Sequence, residues 1–167
     1  KRYVDCQSEC GINWYNNHWN NPSSKIGEKC VHSFIGYDKN EVVRVANILP
    51  YDVACWGCGS GTFGSYNYDP VGHIQIELCE DNLWNEEYFN EIYRVAAEYC
   101  AMLCKKFNLA PSTIVSHAEA HQRGYASNHA DCDHWFAIHG KTMDQFRKLV
   151  SSMLGQSTKY LVRVTTD

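Results

Sequence analysis

The sequence predicts an α/β domain, a central mixed β-sheet flanked by helices, on three observations. Two apolar runs, Cys30 to Gly36 and Glu41 to Leu49, flank the polar Tyr37-Asp38-Lys39-Asn40 and read as a hairpin. His73 to Leu78 alternates strictly, with Ile74, Ile76 and Leu78 on one face and His73, Gln75 and Glu77 on the other, as in a half-buried strand. From Asn85 to Asn108 the apolar positions Tyr88, Ile92, Val95, Tyr99, Leu103 and Phe107 form the stripe of a helix lying on a sheet.

A length of 167 residues suits one domain with a sizeable core, and a net charge of −4 gives no basic surface for nucleic acid. No run approaches the roughly 18 apolar residues of a membrane span, so no membrane insertion is expected. Nine cysteines, an odd number, include Cys79, Cys100 and Cys104 within apolar strand and helix patterns, which argues for reduced thiols rather than a disulfide scaffold. Cys55-Trp56-Gly57-Cys58 has redox or zinc-knuckle spacing, but without a second such pair it reads as two loop thiols.

The elements follow in order. Lys1 to Glu28, rich in Asn and Trp, reads as loop whose Trp14, Tyr15 and Trp19 cap the core or line a groove. In the first hairpin strand His32 and Phe34 share a face, which directs His32 toward a cleft or into the core. Cys55 to Pro70, with four glycines, is expected to be a mobile loop over that cleft. Asn85 is a suitable N-cap for the long helix, with Glu86 and Glu87 in its first turn and Lys105 and Lys106 in its last. Thr142 and Gln145 have the spacing of a capping box opening a second helix through Phe146, Leu149, Val150 and Met153.

Thr113 to Phe136 holds four histidines and two aspartates. Thr113-Ile114-Val115 reads as a short strand, which places His117 where strand gives way to loop, with Asp131 and Asp133 following. Imidazole and carboxylate brought together in this way suit Zn²⁺.

These residues resemble the zinc-dependent N-acetylmuramoyl-L-alanine amidases, the superfamily of peptidoglycan-recognition proteins and phage-type lysozyme amidases, and most strongly the clostridial endolysins and autolysins. The similarity lies in Ser116-His117-Ala118-Glu119, Arg123-Gly124, Ala126-Ser127-Asn128-His129-Ala130-Asp131 and His134-Trp135, and it extends from Lys1 to about Val150. It implies Zn²⁺ held by His117 and Asp131, with His129 steadying the transition state. Ile74-Gln75-Ile76-Glu77-Leu78 is similar to the strand that carries the family's catalytic carboxylate, which makes Glu77 the general base. His32 and Trp56 are implied as substrate-side groups. The resemblance further implies bacterial peptidoglycan as partner, cleavage between N-acetylmuramic acid and L-alanine, and release to the cell wall after cytoplasmic synthesis.

Two departures qualify this. Trp56 is followed by Gly57 where the family has His, and the family's first zinc ligand belongs to a strand that would lie upstream of Lys1. Within the chain, His32 is the nearest substitute by sheet position, with His134 and His121 weaker. A chain with an incomplete zinc site would instead be a non-catalytic peptidoglycan-binding module. The expected organisation is a catalytic domain over residues 1–155 and, over 156–167, a linker and the truncated start of a wall-binding domain similar to bacterial Src-homology-3-like modules.

Overall fold

The computed structural model describes residues 29–155 apart from Lys39. The expectations for residues 1–28 and 156–167 lie outside the described residues.

Among the described residues the sheet has three strands, β1 (Ser33–Tyr37), β2 (Val43–Asn47) and β3 (Ile76–Leu78), in the order β2-β1-β3. β1 and β2 form the expected antiparallel hairpin with Ile35 opposite Val45. β3 runs parallel to β1 with Phe34 opposite Glu77, so the sheet is mixed. Asp38 organises the hairpin turn, its carboxylate accepting from the backbone N–H groups of Asn40 and Val42 and from Arg44 Nε.

The long helix α1 (Glu86–Phe107) has the predicted caps: Asn85 accepts from the Tyr88 N–H, and Asn108 closes the helix in a left-handed conformation, one of the few residues other than glycine suited to it. It packs on β1 and β2 and receives α4 (Met143–Leu154) on its other side. The core between these layers gathers Ile35, Phe89, Ile92, Trp135, Phe136 and Val150, all essentially buried. A buried hydroxyl chain reinforces the joint, with Ser33 Oγ 2.6 Å and Tyr51 Oη 2.8 Å from Tyr99 Oη. Ile74, Ile76 and Leu78 pack against this core, as their alternation requires.

Two expectations are corrected. The strand at Thr113 to Val115 is instead a 3-10 turn, Pro111–Thr113, followed by extended chain. Pro111 presets the turn, and the Ala110 carbonyl accepts from both the N–H and the hydroxyl of Thr113, bonds that satisfy the segment locally. The expected loop from His117 to Phe136 contains two short helices, α2 (His117–Gln122) and α3 (Asp133–Ile138). Ser116 and Glu119 form a complete capping box, a signal present in the sequence as Ser-x-x-Glu.

Candidate functional site

A cavity of about 610 Å³ opens between β3, the loop after Cys55 and the segment from Ser116 to Cys132. That size is within the range of ligand pockets. Trp56, Glu77, His117, His129 and Asp131 all line it, so the structure brings these five predicted residues to one place.

α2 and the chain after it build the densest part. The Asp131 carbonyl accepts from the N–H of His117 at 2.8 Å, which ties the two residues together through the backbone at the start of α2. His117 Nε2 lies 3.3 Å from Ser127 Oγ, and that hydroxyl donates to the Cys58 carbonyl at 3.1 Å. The hydroxyl proton being so used, Ser127 accepts from Nε2–H, and Nδ1 keeps the lone pair. Burial, with a smaller push from neighbouring His129, lowers the pKa of His117 and favours the neutral, ligating ring.

His129 stacks on His117 with ring centroids 5.2 Å apart, and its Nδ1 is 2.7 Å from Asp131 Oδ2. His117, His129 and Asp131 each present a ligand atom within 4.8 Å of the others. Two imidazoles and a carboxylate are a donor set that Zn²⁺ accepts, so the residues present fit a metal of that kind.

A second group shares Asp131. His134 Nε2 is 2.9 Å from Glu80 Oε1, and its Nδ1 lies 3.2 Å from the Ala130 carbonyl and 3.7 Å from Asp131 Oδ1. Burial works against a charged ring here, but the Ala130 carbonyl and Glu80 outweigh it and raise the His134 pKa above its ordinary value. Glu80 also lines the cavity.

His32 is a correction. It does not reach the cavity but is 2% exposed in the core, with Nε2 donating to the Val53 carbonyl at 3.0 Å. Its Nδ1 accepts from the Gln75 N–H at 2.9 Å, with Cys55 Sγ 3.2 Å away. With both nitrogens engaged, it offers nothing to a substrate or metal. His121 is likewise turned to the Ala126 carbonyl and lies outside the clusters whose geometry could hold a metal.

The loop after Cys55 is fastened rather than free. The Asn67 amide oxygen accepts from the N–H groups of Gly57 and Cys58, both at 3.1 Å, and from Gln75 Nε2 at 2.7 Å. A Cβ at Gly57 would lie 2.1 Å from Gln75 Oε1 and 2.9 Å from Val31, so the departure from histidine at this position has a packing reason. Gly124, at φ +82°, accepts Phe63 against its Cα where a Cβ would lie 2.5 Å from the ring. Trp56 remains 44% exposed at the rim, edge-on to Tyr68 at 5.8 Å. Burial, with the Cys30 and Cys58 thiols adding to it, pushes the Cys55 thiol up to about 12, which removes the thiolate that redox chemistry needs.

Sequence reasoning passed over Ser127 and the Glu80-His134 contact. Ser127 falls within the quoted Ala126-to-Asp131 segment, whereas nothing local links Glu80 to His134. No helix among the described residues is long and apolar enough to cross a membrane.

The family model described as N-acetylmuramoyl-L-alanine amidase matches residues 5–135, well over half of the chain, a span that includes Trp56, Glu77, His117, His129 and Asp131. No curated protein matches the chain.

Proposed function

The chain belongs to the N-acetylmuramoyl-L-alanine amidase family, and from that premise we propose that it hydrolyses the amide between the lactyl group of N-acetylmuramic acid and L-alanine of the stem peptide, using Zn²⁺ held by His117 and Asp131. The observation that carries this reading is the convergence of His117 and Asp131, with His129 beside them, their ring-nitrogen and carboxylate atoms within 4.8 Å on the wall of a cavity that Glu77 also lines. Zn²⁺ bound there supplies Lewis-acid polarisation of the amide carbonyl and brings the pKa of a water toward about 7.

The chain's own residues supply the rest. Glu77 takes the proton of the attacking water and returns it to the departing amine, the general base and then general acid of the reaction. His129, exposed beside Asp131, donates to the amide oxygen as negative charge develops there. Trp56 presents an apolar ring at the rim against which the muropeptide is laid. The substrate is bacterial peptidoglycan, reached by secretion or release to the wall after cytoplasmic synthesis.

The test measures free L-alanine amines released from purified peptidoglycan, with the protein untreated, stripped by chelator, and restored with Zn²⁺. The expected result is cleavage that disappears on stripping and returns with zinc. Binding to peptidoglycan without release of amines in any state would replace this reading by a non-catalytic recognition module.

A further inference from the structure

We propose that Glu80 and His134 form a positioning pair that aims the Asp131 carboxylate and holds it at a set distance from Glu77. This rests on the reading of Asp131 as a zinc ligand and adds to it two residues with no assigned role.

Asp131 Oδ2 faces His129 Nδ1 at 2.7 Å, and its Oδ1 faces His134 Nδ1 at 3.7 Å, so an imidazole stands on either side of the carboxylate. His134 is held independently of Asp131: Nε2 is 2.9 Å from Glu80 Oε1 and Nδ1 is 3.2 Å from the Ala130 carbonyl. Both nitrogens therefore point at acceptors, which fixes the ring's orientation beside Asp131. The pair is partly shielded, with side chains 33% and 27% exposed, so solvent does not erase it.

Chain topology gives the contact its consequence. Glu80 lies three residues beyond Glu77, in the chain just past β3, and His134 lies three residues beyond Asp131, in the first turn of α3. The Glu80–His134 contact is thus a strut between the strand bearing the proposed base and the segment bearing the proposed ligand. It is not the sole fastening of these elements, because Trp135 Nε1 and His139 Nε2 both donate to the Leu83 carbonyl, at 3.2 and 2.7 Å. Removing the strut should leave the fold and disturb the site. Groups that orient a metal ligand typically contribute 10–100-fold to metal affinity or activity.

The same atoms pose an alternative, since ligand atoms of Glu80, Asp131 and His134 lie within 4.8 Å and could hold a second cation. The geometry favours the brace, because the Ala130 carbonyl and Glu80 already engage both ring nitrogens.

The experiment uses the full-length protein and measures zinc stoichiometry, zinc affinity by chelator competition, and kcat and KM on a soluble muropeptide. The variants are Glu80→Ala, Glu80→Gln, His134→Ala and the double alanine. The expected result is one zinc in the wild type, affinity weakened 10–100-fold in His134→Ala with kcat lowered and KM unmoved, and a double variant no worse than His134→Ala. Glu80→Gln, whose amide oxygen still accepts from Nε2–H, should lie closer to wild type than Glu80→Ala. Unchanged affinity and kcat in both alanine variants would overturn the positioning role while leaving the amidase reading intact. A second zinc equivalent lost in Glu80→Ala would overturn it in favour of a second metal site. A wild type that takes up no zinc removes the underlying reading, and this one with it.

Discussion

Glu119 and Arg147 meet fork to fork, Nη1 to Oε2 at 2.8 Å and Nη2 to Oε1 at 2.9 Å, across the gap between α2 and α4. The same guanidinium donates to the Ile114 carbonyl at 2.9 Å and to Asp144 at 2.8 Å. Because Glu119 also closes the capping box with Ser116, one arginine secures the helix whose first residue is His117. Arg147→Met should therefore destabilise the protein by about 1–2 kcal/mol, the cost of leaving a half-buried carboxylate without its charged partner. Urea denaturation of the two proteins measures this, and an unchanged midpoint would show that Glu119 finds water instead.

Asp38 gives the pH dependence. Burial pushes its pKa up, but the Val42 N–H, the Arg44 guanidinium and the Asn40 N–H outweigh burial, so it lies below the ordinary aspartate range. A depressed carboxylate pKa stabilises the fold above the unfolded value of about 3.9, and the contribution is lost as pH falls through the folded value. Asp38→Asn should cost about 1–2 kcal/mol at neutral pH. The gap between variant and wild type should close as pH drops below about 4, which thermal melts across that range would follow.

For the metal site, His117→Ala and Asp131→Ala should each abolish zinc binding, since a site with few protein ligands cannot spare one. His129→Ala should keep the metal and lower the rate by about 10²–10³-fold, as loss of an oxyanion donor does. Elemental analysis beside peptidoglycan cleavage reads both. Zinc lost from His129→Ala would make His129 the third ligand, a role its distance from Asp131 permits.

Glu77→Gln should retain fold and zinc and lose amide hydrolysis. The exchange leaves shape unchanged in β3 while removing the group that takes the proton. Activity equal to wild type would take Glu77 out of the mechanism.

Replacing Cys55 and Cys58 together by Ser should leave activity within a few-fold. Both thiols are free, and burial raises the pKa of each. Loss of metal in the double variant would reveal a structural zinc site at this loop.

What the sequence determined by itself was local. The caps of α1 and its stripe from Tyr88 to Leu103, the capping box of α4 and the alternation through β3 are each set by residues a few positions apart, and each stands in the structure where the pattern puts it, while Phe107 at the end of the stripe is exposed. The gathering of His117, His129 and Asp131 was legible for the same reason, since one short segment carries all three. The Ser116 and Glu119 capping box that opens α2 is local and legible, but the β-branched run before it read as strand, and among the described residues no strand pairs with it. Tertiary structure alone decided the rest. Alternation along β1 placed His32 on a face without saying what covered that face, and Val53, Cys55 and Gln75 turned out to enclose it. Glu77 and Trp56 line the same cavity as the histidine cluster, and Glu80 reaches His134, across separations of 40 residues or more that no pattern spans. Those contacts follow from the packing of α1, α3 and α4 around one core, a sum of burial over the whole chain that no short stretch of it contains.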